Sequence, residues 1–184
     1  MLRHLTSRGL HPENYQSVVV DEQEGVVTFL LFDFSGAITG YQRYKPGAPK
    51  KLASERNSAE LKYFIHATSG RFAVFGLESV LSKKEPVFVT EGVFEAASLH
   101  SKGAQAIAIL GVTQFRLVPQ IWLMKAAGYR FVACIQSGKA GRQMLDIVKP
   151  APEDIEWLPE GMDVDDLDDE QLEELICTHR TSLP

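Results

Sequence analysis

The sequence predicts an α/β protein with a small β-rich N-terminal lobe followed by a parallel sheet flanked by helices. Three observations carry this. Residues 17–45 are rich in β-branched and aromatic side chains broken by Glu24-Gly25 and Ser35-Gly36, the rhythm of an antiparallel meander. From residue 85 onward, short apolar runs alternate with helical patterns of about ten residues, as βαβ crossovers demand. Glycine or acidic residues stand at the ends of those runs, where an open parallel sheet gathers its functional groups.

Taken in order, residues 17–20, 26–32 and 37–44 read as strands. Residues 46–60 are polar and rich in turn formers (Pro46, Gly47, Pro49, Ser54, Ser58) and read as a loop. Residues 61–65 form a further short strand. The boundary between the two rhythms falls at Ser82-Lys83-Lys84, dividing the chain into residues 1–82 and 83–184. Strands are then expected at 86–90, 106–110 and 129–135, with a short one at 156–158. Helices are expected at 94–101, stopped by Gly103; at 115–127, stopped by Gly128; and at 139–148, stopped by Pro150. In the second helix, Phe115, Val118, Ile121 and Trp122 share one face and are assigned to the core. No internal repeat is present.

Composition narrows the function classes. About 45% of the 184 residues are apolar, which suits a globular domain. No apolar run approaches the roughly 18 residues needed to span a bilayer, and the N-terminus shows no secretory pattern, so a cytoplasmic protein is expected. Two cysteines, Cys134 and Cys177, are too few for a disulfide scaffold or a four-cysteine zinc site. The five histidines show no metal spacing. The net charge of −5 hides an asymmetry: residues 1–150 carry 18 basic and 12 acidic side chains, and residues 151–184 carry one basic and 12 acidic. A basic body points to a polyanion, and the acidic segment is either a solvated tail or a functional carboxylate cluster. Within the body, Arg43, Lys45, Lys50, Lys51, Arg56 and Lys62 lie close together, interleaved with Tyr41, Tyr44 and Tyr63. Basic side chains neutralise phosphates and aromatic rings stack unpaired bases.

The strand ends carry the chemistry. Thr90-Glu91-Gly92 closes the first run of the second half, with Glu95 one helical turn on. Gln136-Ser137-Gly138-Lys139-Ala140-Gly141 closes the third, and Asp163, Asp165 and Asp166 follow the fourth. In this setting "VFVTEGVFEAASLHSKGAQAIAILG" resembles the first motif of a Toprim domain of the bacterial and phage DNA primase type: Glu91, Gly92, Gly103 and Gly111 match, and Glu95 stands where an Asp is usual. "RFVACIQSGKAGRQML" resembles the second motif through Lys139-Ala140-Gly141-Arg142, with Gln136-Ser137-Gly138 in place of Asp-x-Asp. "LPEGMDVDDLDDEQLEELI" is similar to the third acidic segment, with Asp163 and Asp165 on its two Asp positions. Upstream, "VTFLLFDFSGAITGYQRYKP", "LKYFI" and "VFGLESV" resemble the primase N-terminal lobe, whose hairpin ends in a basic residue, here Arg43. The match is collinear over roughly residues 20–178.

The resemblance implies a Rossmann-like Toprim sheet and metal-dependent nucleotidyl transfer in RNA-primer synthesis during phage or plasmid replication. It implies Glu91 and Glu95 as catalytic carboxylates, and Glu91, Asp163 and Asp165 as ligands of Mg²⁺ or Mn²⁺. It implies Arg43, Lys45, Lys50, Lys51, Arg56, Lys62, Lys139 and Arg142 as nucleic-acid contacts. Expected partners are single-stranded DNA, nucleotides and a helicase or other replication protein acting in trans, since the sequence has no Gly-Lys-Ser/Thr phosphate loop. It also lacks the cysteines of the zinc-binding domain that precedes many primase cores. Loss of two carboxylates at Gln136 and Gly138 weakens or removes the metal site. Impaired chemistry is therefore expected, with a non-catalytic DNA- or partner-binding descendant as the alternative. Asp168, Asp169, Glu170, Glu173 and Glu174 are read as a solvated helix face, with Asp168 or Asp169 capping that helix.

Overall fold

Among the described residues, two four-stranded sheets form the frame of the molecule. The computed structural model describes residues 1–50, 58–68, 73–110, 118–148 and 154–181. The first sheet is antiparallel, in the order β1 (Val18–Asp21), β2 (Val26–Phe32), β3 (Ile38–Tyr44), β4 (Tyr63–Ala67). The second is parallel throughout and comprises β5 (Val87–Thr90), β6 (Gln105–Ala108), β7 (Phe131–Ile135) and β8 (Asp154–Trp157), in the spatial order β6-β5-β7-β8. The helices are α1 (Leu2–Thr6), α2 (Val93–Ser101), α3 (Val118–Ala126), α4 (Lys139–Val148) and α5 (Asp169–Thr181). The strands and helices expected from periodicity are present to within one or two residues wherever the chain is described.

β5, β6 and β7 are buried at every position, which explains why they read as unbroken apolar runs rather than alternating ones. One face of the parallel sheet packs on α2, α5 and the inner face of the antiparallel sheet, in a cluster that joins Phe29, Leu31 and Tyr44 to Phe88, Phe94 and Leu99. The other face packs on α3 and α4 through Ile107, Ile121, Met124, Phe131 and Met144. Val74 and Phe75 tie the sheets together, bridging to Phe32 on one side and Ala108 on the other.

One assignment needs correction. Ile121 is buried, but Trp122 is about half exposed. The buried face of α3 runs through Ile121 and Met124, three residues apart, and Trp122 is one residue (about 100°) round the helix from it. Phe115, the loop residues Lys51 and Arg56, and Gly111 lie outside the described residues.

Glycine fixes the path from β7 into α4 twice. Gly138 has φ +111°, a conformation that side chains disfavour. Gly141 lies so close to the preceding turn that a Cβ would stand 1.8 Å from the Gln136 carbonyl oxygen. This close approach seats α4 on the sheet. At the C-terminus, Asp168 Oδ1 accepts the Gln171 N–H at 2.9 Å while Gln171 Oε1 accepts the Asp168 N–H at 3.0 Å, a reciprocal cap at the start of α5.

Candidate functional site

Glu91 leaves the carboxyl end of β5, and its carbonyl accepts the Leu110 N–H at 2.9 Å where the chain exits β6. Leu110 takes a left-handed backbone conformation, φ +55°, and is buried at the floor of a cleft. Glu95 sits in the first turn of α2, with Oε1 accepting the Gly92 N–H at 2.8 Å. Glu95 is 5% exposed, and its Oε2 has no hydrogen-bond partner among the described residues.

The acidic turn after β8 completes this wall. Val164 is fully buried, and the Asp163 N–H donates to Asp166 Oδ2 at 2.9 Å. An apolar anchor flanked by two acids therefore presents Asp163 and Asp165 together to the cleft, while Asp166 is exposed and closes the turn. Strand alternation builds the opposite wall. Gln42 and Ile65 pair in register on the inner face of the antiparallel sheet, as do Tyr44 and Tyr63. Gln42, Tyr63, Ile65, Lys50 and Arg8 line the cleft across from Glu91, Glu95, Asp163, Asp165 and Gln136, enclosing about 450 Å³.

Crowding in a partly dry space disfavours the charges of Glu91, Glu95 and Asp163. Burial, with Asp163 nearby, raises the Glu91 pKa. Burial first, then Asp163, Asp165 and Glu91, pushes Glu95 up to about 8, against the Gly92 hydrogen bond that lowers it. Asp163 is raised by burial, Asp165 and Asp166, opposed by Lys50 and Arg8. Asp165 is paired with Arg8.

The structure brings Glu91, Glu95, Asp163, Asp165 and Lys50 into one cleft. The other basic positions are distributed. Lys62 holds its ammonium 5.8 and 5.9 Å from the ring centroids of Tyr44 and Tyr63. Arg43 pairs in register with Thr28 and Phe64 and projects from the reverse face of the same sheet, beside Tyr41. Lys45 is exposed, Lys139 opens α4, and Arg142 is exposed one turn on. Arg8, Gln42, Tyr63, Phe94 and Leu110 join the site unannounced by the motifs. Tyr63 was legible as an aromatic among basic residues, and Gln42 as an inward position by strand alternation. Arg8 lies outside every motif.

A metal ion can be tested against this donor set. Glu91, Asp163 and Asp165 face one space, but among the described residues no three His, Cys, Asp or Glu side chains are grouped so as to hold an ion. Asp165 is already engaged by a guanidinium. The residues present do not make a self-contained metal site.

No family model matches the chain, and no curated protein matches it. Solved structures do. The primase fragment of the bacteriophage T7 primase-helicase protein superposes with a TM-score of 0.63 at 13% identity, over 95% of this chain and 72% of that one. The Aquifex aeolicus primase (zinc-binding and RNA polymerase domains) gives 0.62 at 19% identity, over 91% of this chain and 44% of that one. A DnaG catalytic core gives 0.60 at 22% identity, over 95% of this chain and 62% of that one. The fold is that of DNA primase catalytic cores. The chain spans 44% of the Aquifex aeolicus primase chain and 62% of the DnaG catalytic-core chain. Among the described residues, no helix is long and apolar enough to cross a membrane.

Proposed function

We propose that this chain is a primase-type Toprim protein of phage or plasmid DNA replication. On this reading it binds single-stranded DNA and nucleotides in the acidic cleft, and its metal-dependent nucleotidyl transfer is weak. The observation that carries the reading is the cleft itself: Glu91, Glu95, Asp163 and Asp165 gather at the carboxyl ends of parallel strands in a primase-type fold, opposite Tyr63 of the antiparallel sheet and Lys50 of the segment that follows β3. Residues 1–82 then act as the template-guiding lobe and 83–184 as the acidic one. In a related T7 assembly, primase domains of two gp4 subunits are bound to an RNA/DNA hybrid and dTTP and interact with a DNA polymerase. By analogy, a helicase or polymerase acting in trans is the partner class for this chain.

Phosphoryl transfer is mostly positioning and charge neutralisation. Lys50 and Lys62 neutralise phosphates entering the cleft, with Lys45, Lys139 and Arg142 assigned as further phosphate contacts. Tyr63 offers a stacking face. Glu95, protonated over much of the neutral range, contributes no full negative charge there. The weakness of catalysis rests on the donor set. Gln136 and Gly138 stand where the family carries Asp, and Asp165 is held by Arg8. The alternative, a non-catalytic descendant that binds DNA or a replication partner, draws on the same observation.

Two assays decide. Anisotropy with labelled single-stranded DNA should show binding that weakens steeply with salt; absence of binding at low salt refutes the reading. Template-dependent primer synthesis with Mg²⁺ or Mn²⁺ should be slow or undetectable. Robust synthesis abolished by Glu91→Gln would overturn the weak-catalysis part while leaving the family reading intact.

A further inference from the structure

The cleft contains a cation of its own that belongs neither to the motifs nor to the basic run. Arg8 Nη2 donates to Asp165 Oδ2 across 157 residues of sequence. Its guanidinium carbon lies 3.7 Å from the centroid of the Phe94 ring, and Tyr63, which lines the same cleft, and Tyr44 are its further polar neighbours. A carboxylate at the edge and a ring face beneath it hold the planar guanidinium, the environment that favours arginine over lysine.

Arg8 is also held in place from behind. Its N–H donates to the Leu5 carbonyl at 2.9 Å, and the Leu10 N–H returns to the same carbonyl at 3.1 Å. Leu5 and Leu10, on either side of it, are fully buried against the central core. His4 Nε2 and the Tyr44 hydroxyl are 2.7 Å apart, which ties α1 to the inner sheet. The guanidinium is therefore preorganised rather than carried on a loose arm.

We propose that Arg8 is a resident cation standing in for a metal ion at Asp165, so that a divalent ion fills the cleft only by displacing the guanidinium. This rests on reading the acidic cleft as the nucleotide- and metal-facing end of the protein. The physical argument has two parts. A magnesium-type ion is held through one or two carboxylates plus phosphate and water, and the pairing with Arg8 removes Asp165 from that set. A fixed positive charge in a partly desolvated cleft also repels an incoming divalent ion, with a Coulomb energy large compared with thermal energy at contact distances. Both effects vanish with Arg8.

The test is Mn²⁺ binding by the full chain, read by electron paramagnetic resonance, for wild type, Glu91→Gln, Arg8→Gln, Arg8→Met, Arg8→Lys and the Arg8→Gln/Glu91→Gln pair, with circular dichroism to report folding. Removing the charge should tighten binding by about tenfold or more. The gain should disappear when Glu91→Gln is added, and Arg8→Lys should bind as weakly as wild type. Folded Arg8→Gln and Arg8→Met chains that bind no tighter than a wild type whose Mn²⁺ binding depends on Glu91 overturn the Arg8 role and leave the cleft reading standing. Loss of Glu91-dependent binding in every chain, together with no single-stranded DNA binding, overturns both. Wild type supplies a readout that needs no variant to fold. The slowly exchanging ¹⁵N guanidinium signal of Arg8 should move to free-arginine behaviour as Mg²⁺ saturates the chain. Saturation that leaves the signal unchanged refutes displacement.

Discussion

Glu95 folds back over the start of its own helix: Oε1 accepts the Gly92 N–H at 2.8 Å, while Oε2 is buried without a partner among the described residues. One oxygen thus does structural service for α2, and the other is left buried without a hydrogen bond in a residue that lines the cleft.

A pH dependence follows. The folded pKa of Glu95 is about 8, raised from an ordinary value of 4.5 by burial and then by Asp163, Asp165 and Glu91. The folded state therefore binds a proton that the unfolded chain releases above about 4.5. The stability associated with that proton is complete below pH 4.5 and is lost progressively until about pH 8. Glu95→Gln keeps an acceptor for the Gly92 N–H and removes the ionisation. Urea denaturation at pH 5 and pH 8.5 should show wild type losing on the order of 2–4 kcal/mol more than Glu95→Gln. Equal losses would show that Glu95 ionises freely in the folded protein.

Gly141 should resist replacement even though it lies in a helix. Gly→Ala within a helix normally stabilises by about 1 kcal/mol. Here the new Cβ would meet the Gln136 carbonyl oxygen at 1.8 Å, so Gly141→Ala should destabilise by about 3 kcal/mol. The sign of the change in denaturation midpoint settles the matter, and a stabilised variant would contradict the seating of α4 described above.

Gln105 holds the segment that joins the two sheets. Its Oε1 accepts the Leu81 and Ser82 N–H groups, each at 2.6 Å, and its Nε2 donates to the carbonyls of Ser82 and Glu85 at 2.8 and 3.1 Å. Gln105→Leu leaves these partly buried groups unmatched and should cost about 2–3 kcal/mol. Hydrogen exchange at the Leu81 and Ser82 amides should accelerate in the variant; unchanged protection would place their partners elsewhere.

The two faces of the antiparallel sheet make separable predictions for DNA. Lys50 lines the cleft and Lys62 lies against the inner tyrosines, while Arg43 projects from the reverse face. If single-stranded DNA tracks the cleft, Lys50→Ala with Lys62→Ala should lower the slope of log affinity against log salt by roughly 1.4, and Arg43→Ala should leave it unchanged. The opposite pattern would put the template on the outer face.

Much of the fold was legible locally. β5, β6 and β7 announced themselves as continuous apolar runs because a central parallel strand is covered on both faces. The helix over residues 139–148 was bounded correctly because a glycine turn precedes it and Pro150 follows. Glu91 and Glu95 were legible as site candidates because they sit at the end of a parallel strand, and Asp163 and Asp165 through the resemblance of their segment to an acidic motif. Trp122 was misplaced because a short helix with apolar side chains on several faces does not say which face meets the sheet. That is decided by where Ile121 and Met124 find partners.

The basic run shows the same limit from the other side. Residues adjacent in sequence, such as Gln42 and Arg43, end on opposite faces because a strand alternates, and the cleft takes only one of them. Sequence alone determined the two-sheet architecture and the order of its elements, since each is written in local periodicity, turn chemistry and strand ends, and the acidic candidates came from strand ends together with the motif resemblance. Only the tertiary structure decided that Arg8 meets Asp165, that Glu95 is buried beside three other acids, and that Lys50 rather than Arg43 faces them. Those pairings depend on packing between segments far apart in the chain, and no local pattern records which distant charge will be held where.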